Sequence, residues 1–406
     1  MQLPEEFVNY TRKLMGNELF QHYLDSFSEE APVSIRLNPL RFSPSTLGLP
    51  PSTAPVQWCP EGYYLRKRPN FTMDPLLHAG CYYVQEAASM FVSHVLRQYV
   101  HTPVVMLDLC AAPGGKSTAA IASLPQGSTL YSNEPNRNRA NILLENITKW
   151  GYPNCIVTNN YPKDYRASKL RFDVILCDVP CSGEGMFRRD EATIGEWSKQ
   201  NVERCWQLQR DIVSDAWTCL CDGGLLVYST CTFNTKENEE NVRWICEEFD
   251  AEVLPVDVRP EWNITGSLLP DFSAPVYRFI PGITRSEGLF VCVIRKKPSP
   301  TPSLLREGIK GGKHSCLKEI QMNQQHSYLP HREGPEVGLS YPQAIAYLRG
   351  EALTLPADTP RGIVTVTFQG HPLGMMKNIG TRANNLYPKE WRIRTTHVPH
   401  EYQSVL

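Results

Sequence analysis

Between residues 104 and 297, short apolar runs alternate with longer amphipathic ones. Residues 104–109, 129–133, 155–158, 173–177 and 225–229 predict strands. Residues 136–150 and 198–221 predict the clearest helices, the second closed by Gly223 and Gly224, where a left-handed cap residue would sit. Such alternation implies a parallel sheet covered by helices, with ligands at the carboxyl ends of the strands. Residues 289–294 have no helix after them and predict an antiparallel closing strand. Ahead of this region, Phe7, Tyr10, Leu14, Leu19 and Tyr23 recur near helical spacing with a break at Gly16, which predicts two short helices. Strands are expected at 33–37 and 62–65, separated by a Pro- and Ser-rich loop over 39–55. Behind it, 298–318 breaks the pattern with three prolines and with Arg306, Lys310, Lys313 and Lys318 against the single acid Glu307, a basic linker. Residues 363–368 then read as a strand.

At 406 residues the chain exceeds what one core usually holds, so two or three domains are expected. Hydrophobic residues at 41% against charged residues at 20% exclude a disordered chain. No apolar run reaches membrane-span length, and the first sixteen residues lack a signal-peptide pattern, so a cytoplasmic protein is expected. The 13 cysteines are odd in number and nothing directs them to an oxidising compartment; free thiols are expected. No pair of Cys-x-x-Cys motifs exists, so no metal site is expected. A net charge of -1 gives no global attraction to nucleic acid, which leaves local patches to supply any such contact.

Asp108-Leu-Cys-Ala-Ala-Pro-Gly-Gly-Lys-Ser117 follows a strand and opens a helix, where backbone amides allow close approach by a ligand. A phosphate-binding P-loop needs Gly where Cys110 stands, and the dinucleotide fingerprint is absent. What remains is a glycine turn after the first strand and an acid, Glu134, ending the next, 26 residues after Asp108. That pairing suits a ribose, whose two hydroxyls can donate to one carboxylate.

Two further segments carry chemistry. Asp178-Val-Pro-Cys181-Ser-Gly follows the strand at 173–177, and Ser229-Thr-Cys231-Thr follows the one at 225–229. In a parallel sheet those strand ends share one rim, so two thiols, Asp178 and the glycine loop can converge.

Together these three segments resemble the signature motifs of the Sun-type RNA cytosine-C5 methyltransferases, in the same order. His78-Ala-Gly-Cys-Tyr-Tyr-Val-Gln-Glu86 is similar to the stretch leading into that family's catalytic domain. Gly374-Met-Met-Lys377 and Asn384-Asn-Leu-Tyr-Pro-Lys-Glu-Trp-Arg392 resemble the tail of its RsmF branch, which modifies small-subunit (16S) ribosomal RNA. The resemblance implies an α/β fold: a Rossmann-like class I methyltransferase domain over 78–297, a small α+β RNA-binding module over 1–77, and, beyond the linker at 298–318, a PUA-like RNA-binding module over 319–406. It implies S-adenosylmethionine as cofactor, held by Cys110, Ala111, Ala112, Pro113, Gly114, Gly115 and Lys116, with Glu134, Asn160 and Asp178. Family members commonly carry an acid near Asn160, so this chain departs from the pattern there. The implied partner is RNA, most simply ribosomal RNA or the small subunit, with no membrane and no metal, and the chain is expected to act as a monomer.

Carbon 5 of cytosine is a poor nucleophile, so an enzyme first adds a thiolate at carbon 6. By resemblance Cys231 takes this step, Cys181 assists product release, and Asp178 meets cytosine N3 and N4. DNA cytosine methyltransferases use a Pro-Cys dipeptide as nucleophile, which leaves Cys181 open as the alternative. Tyr387, Lys389, Trp391, Arg392 and Arg394 are candidates to hold RNA backbone and stacked bases. Two rivals remain: a non-catalytic RNA-binding ribosome assembly factor, and a tRNA or DNA cytosine-C5 methyltransferase.

Overall fold

A computed structural model describes residues 3–42, 53–298, 317–319, 334–395, 399 and 401–406. Most of the expected basic linker lies outside the described residues. The leading sheet consists of β1 (Val33–Leu37), β2 (Ala54–Val56), β3 (Cys59–Leu65) and β4 (Tyr82–Val84), antiparallel in the order β2-β3-β1-β4. It runs past residue 77, because β4 pairs with β1. The helix Glu5–Asp25 in front of it is broken at Gly16, whose φ of 75° and ψ of 169° separate two helical stretches as the spacing predicts.

Eight strands form the central sheet: β5 (Val105–Asp108), β6 (Thr129–Asn133), β7 (Cys155–Thr158), β8 (Phe172–Asp178), β9 (Leu220–Thr230), β10 (Ala251–Leu254), β11 (Tyr277–Phe279) and β12 (Leu289–Lys296). The order is β10-β12-β9-β8-β5-β6-β7, with β11 beside β12. Strands β5 to β9 run parallel, and β12 is antiparallel to β9. From β5 the chain winds through β6 and β7 on one side and returns to β8 and β9 on the other. The topological switch point therefore lies between β5 and β8, where a ligand crevice opens at the carboxyl ends.

Two helices that frame this crevice start where their caps dictate. Asn136 accepts from the backbone N–H groups of Asn138 and Arg139 to open Arg137–Trp150, which ends at left-handed Gly151. Ser198 caps Lys199–Cys219 through Asn201 N–H. That second helix does not end at the glycine pair: β9 begins at Leu220, directly after it. Gly223 and Gly224 lie inside β9 beside an irregularity in its pairing with β8, and a Cβ at Gly224 would stand 2.8 Å from Cys221 O and 2.9 Å from Asp173 O. Close backbone approach, not a helix cap, requires the second glycine.

The trailing sheet comprises β13 (Glu336–Gly338), β14 (Gly362–Phe368), β15 (His371–Asn378) and β16 (Ala383–Asn385), in that order. It shares a core with the leading sheet: Ile35, Leu37, Phe71, Leu76 and Tyr82 pack with Val337, Ile345, Tyr347, Val364 and Leu373. Separate apolar clusters cover the two faces of the central sheet. The first helix rests on the central domain's loops, with Phe7 against Trp197 and Phe187 and Tyr23 against Phe233. Among the described residues no helix is long and apolar enough to cross a membrane, and every described cysteine is a free thiol.

Candidate active site

The glycine loop leaves β5 at Asp108 and is tied down on both sides before the helix Gly115–Ser123 begins. Ala111 N–H donates to Asn133 O at 2.8 Å, and Asn133 Nδ2 donates to Leu109 O at 3.0 Å. On the outer side Pro113 O accepts from Asn146 Nδ2 at 2.8 Å and from Tyr83 Oη at 3.2 Å, while Ala112 O accepts from Arg139. Gly114, at a φ of 112°, makes the left-handed turn that aims the helix N-terminus. Asp108 is fully buried with Ser117 Oγ donating to it at 2.6 Å, and burial pushes its carboxyl up to about 7, the Ser117 bond opposing.

Three acids stand at the ends of β5, β6 and β8: Asp108, Glu134 and Asp178. Glu134 is 3% exposed, accepts from Asn136 N–H at 2.9 Å and pairs with Arg139 at 3.2 Å. A crevice edged by the carboxylates of Glu134 and Asp178 suits a ligand with ribose hydroxyls and a cationic sulfonium, and disfavours a phosphate. The donor set therefore fits S-adenosylmethionine, which Glu134 would hold at the ribose and the 110–116 loop along its backbone.

Lys116 turns onto Asp178. Its Nζ donates to Asp178 Oδ2 at 2.8 Å, while Ser229 Oγ donates to Oδ1 at 2.7 Å, so both oxygens of Asp178 are oriented. Burial pulls the Lys116 ammonium down, yet the Asp178 carboxylate outweighs it and the net shift is upward. Lys116 stays charged at neutral pH.

Asn160 is buried at the end of β7, and both atoms of its amide meet one backbone unit. Nδ2 donates to Lys318 O at 3.1 Å, and Oδ1 accepts from Lys318 N–H at 2.9 Å. Asn159 N–H also donates to Lys318 O, and Glu319 bridges Thr158, so this short segment lies along the open edge of β7.

Cys181 and Cys231 come together as the parallel topology predicts. Their sulfurs are 3.2 Å apart, and Cys231 N–H points at Cys181 Sγ at 3.3 Å. Both are partly exposed. The hydrogen bond with Cys231 and then burial push the Cys181 thiol well above its usual range. Thus Cys110 to Lys116, Glu134, Asp178, Cys181 and Cys231 gather on one rim, with Asn160 turned toward Lys318. Sequence reasoning missed Ser229, which orients Asp178, although it sits in the Ser-Thr-Cys motif. In the tail, Tyr387 is 2% exposed and packs against Tyr347, so it belongs to the core and offers no stacking face; Trp391 is half-buried, with Lys149 over its ring. Lys389 and Arg394 are exposed and Arg392 is half-buried.

Three family models match the chain in order: the N-terminal domain of 16S rRNA methyltransferase RsmF over residues 3–87, 16S rRNA methyltransferase RsmB/F over 99–295, and the methyltransferase RsmF PUA domain over 335–393. The chain is similar to ribosomal RNA small subunit methyltransferase F of Pectobacterium atrosepticum, 33% identical over 326 residues that cover 77% of this chain and 66% of that protein. It is similar to the protein of the same name from Cronobacter sakazakii, 28% identical with 96% of each covered. Among solved structures, a methyltransferase homolog protein from Pyrococcus horikoshii superposes with a TM-score of 0.60 at 25% identity, over 72% of this chain and 100% of that one. NSun6 from Pyrococcus horikoshii, solved with SFG, gives 0.61 at 21% identity over 73% and 99%, a likeness of fold.

Proposed function

The chain belongs to the RsmF branch of the RsmB/F family of S-adenosylmethionine-dependent ribosomal RNA methyltransferases, and from that premise we propose that it methylates carbon 5 of a cytosine in small-subunit ribosomal RNA through a covalent adduct with Cys231. The observation that carries this reading is the pair of thiols 3.2 Å apart on the rim that also holds Asp178 and its two donors.

Cys231, as thiolate, adds to carbon 6 of the base and turns the ring into an enamine nucleophilic at carbon 5. S-adenosylmethionine supplies the electrophilic methyl when bound. Asp178, oriented by Lys116 and Ser229, faces the N3 and N4 edge and shares a proton with N3, so that the negative charge built there during addition is neutralised; fixed partners avoid reorganisation at that moment. Facing uracil, Asp178 would meet N3–H and O4 and lose the amino contact, which favours cytosine. After transfer, a base must take the carbon-5 proton for the ring to expel Cys231. Cys181, 3.2 Å from the departing sulfur, can assist that elimination as the base that takes the carbon-5 proton or as the acid that returns a proton to Cys231. Access to both faces of the ring requires a base free of its stack, so an exposed loop or bulge is the substrate rather than an intact duplex.

Bisulfite sequencing of small-subunit ribosomal RNA from cells with and without the gene tests the reading. One cytosine should lose its protection in the deletion strain and regain it when purified protein and cofactor are added back. Unchanged protection at every cytosine would overturn the ribosomal assignment.

A further inference from the structure

Strand pairing alone does not fix how far apart the two thiols lie. The β8 and β9 ladder ends at the Asp178 and Ser229 pair, and each backbone then runs on as a loop before the next helix. Two buried carboxylates cross between those loops in opposite directions. Glu184, from the Cys181 loop, accepts at one oxygen from the backbone N–H groups of Phe233 at 2.7 Å and Asn234 at 3.0 Å, both in the Cys231 loop. Its other oxygen accepts from Trp197 Nε1 at 2.9 Å and Asn234 Nδ2 at 3.2 Å. Glu237, from the Cys231 loop, accepts from Ser182 N–H at 3.0 Å, the residue after Cys181. Gln209 Nε2 and Asn234 Nδ2 complete its shell at 2.7 Å each.

Glu184 and Glu237 are 1% and 0% exposed, and among the described residues neither has a cation within ion-pair distance. Burying an anion without a cation is costly, so hydrogen-bond donors must offset it. Burial accordingly pushes the Glu237 carboxyl up to about 7 in spite of its donors. Apolar packing would join two loops at less cost. A carboxylate that accepts from backbone N–H groups instead fixes the other loop's path atom by atom, which packing does not. The approach is tight elsewhere too. Gly185 N–H donates to Cys231 O at 2.8 Å, Ser182 Oγ meets Thr232 Oγ1 at 2.8 Å, and a Cβ at Gly185 would stand 2.6 Å from Gly288 Cα.

We propose that Glu184 and Glu237 are positioning residues, a reciprocal carboxylate clamp that sets the separation of Cys181 and Cys231 so that one cytosine can be attacked by the second and released with help from the first. The inference rests on the reading that both cysteines serve one base.

The test measures thiol separation independently of methyl transfer. Diamide removes one hydrogen from each of two neighbouring thiols, joins the sulfurs and is itself reduced to the hydrazine; peptide mapping by mass spectrometry then follows the Cys181–Cys231 bridge. Bridging should be fast in the cofactor-free parent and roughly tenfold or more slower in Glu184→Ala and Glu237→Ala, as loss of sub-ångström placement predicts. The double variant should be little slower than the worse single one, because both carboxylates serve the same juxtaposition. Glu184→Gln and Glu237→Gln keep the volume and one accepting oxygen, so they should fall between parent and alanine. In a Cys181→Ala background the alanine variants should form the RNA adduct roughly 10- to 100-fold more slowly, with S-adenosylmethionine affinity unchanged. Parent-like bridging in the alanine variants overturns the clamp. So does a parallel loss of cofactor affinity in the glutamine variants, which would make both carboxylates general supports of the fold. If the parent bridges as expected yet methylates no cytosine, the functional reading fails and the clamp's geometry still stands or falls on the bridging rates.

Discussion

Two thiols of similar exposure sit in different surroundings. Cys181 receives Cys231 N–H and has its thiol pushed well above its usual range, first by the hydrogen bond with Cys231 and then by burial. The roles proposed for them, nucleophile for Cys231 and product release for Cys181, can be separated by mutation. Cys231→Ala should therefore be inactive and form no protein–RNA bond, whereas Cys181→Ala should attack, methylate and retain an adduct visible on denaturing gels. The reverse pattern would hand the nucleophile's role to Cys181. Asp108 yields a prediction about stability. Its carboxyl is raised from 3.8 to about 7, chiefly by burial, so between those values the unfolded chain has released a proton that the native state keeps. Stability conferred at this site then falls as pH rises from about 4 to about 7 and levels off above. Asp108→Asn still accepts from Ser117 and removes the titration. Its melting temperature relative to the parent should climb between pH 5 and pH 7.5, by a margin on the order of a few kcal/mol in stability. A constant difference across that range would show that Asp108 keeps its proton in neither state. The convergence of Glu134, Asp178, Cys181 and Cys231 was legible because parallel strand ends share a rim. The pairing of Lys116 with Asp178 was not: 62 residues separate them, and a lysine at a helix start reads equally well as solvated.

Strands flanked by turns and helices with polar caps were read almost to the residue: β1, β6 and β7 have the expected bounds, and Asn136 with Gly151 brackets its helix. Reading failed where a glycine had two uses. Gly223 and Gly224 look like a helix end, but Leu220 already pairs with Phe172, so tertiary pairing converts the last expected helical residues into β9. Asn160 was ambiguous for a similar reason, since an amide can meet an adenine or a peptide. Here it meets the peptide: one atom donates to Lys318 O and the other accepts from Lys318 N–H, a pattern an acid cannot satisfy in both halves. Residues Leu317–Glu319 thereby act as one more pairing along the edge of β7, and Leu317 adds to the apolar layer on that side of the sheet. Asn160→Ala should loosen this contact and leave β7 in place. The Asn159 amide, which donates to Lys318 O, should exchange with deuterium roughly fivefold faster, the change expected for about 1 kcal/mol of hydrogen bonding. Asn160→Asp should loosen it further, with a carboxylate facing a carbonyl. Unaltered exchange at Asn159 in both variants would mean that the β7 edge holds the segment without Asn160.

At the level of the whole chain, the three modules that the pattern changes announce are not three independent bodies. The leading and trailing sheets bury Ile35, Phe71, Tyr82, Val364 and Leu373 in one cluster, Tyr402 Oη donates to Asp74 at 3.2 Å, and Tyr341 Oη donates to Met73 O at 3.2 Å. A reading taken along the sequence cannot see that partnership, because each module's apolar positions are satisfied by residues some 300 positions away. Cutting away everything after residue 298 would uncover the leading sheet's core as well as remove basic charge, so the tail's part in RNA binding needs a gentler test. With a net charge of -1, any attraction to RNA must come from local clusters. One stands at the end of the trailing sheet: Arg361 precedes β14, Lys377 lies near the end of β15 and Arg382 follows the turn at Gly380, and all three are exposed. The guanidinium of Arg361 lies against that turn, within 3.1 Å of where a Cβ at Gly380 would sit. Exposed cations contribute little to folding, so replacing all three by glutamine should leave the melting temperature and S-adenosylmethionine affinity nearly unchanged. If the cluster neutralises phosphates of single-stranded RNA, the slope of log affinity against log salt should shrink by about 2, at roughly 0.7 for each phosphate that no longer meets a cation. Binding should weaken alike for cytosine-containing and cytosine-free RNA, since phosphate contacts position a strand without reading its sequence. A slope equal to the parent's would mean that this end of the trailing sheet faces away from the RNA.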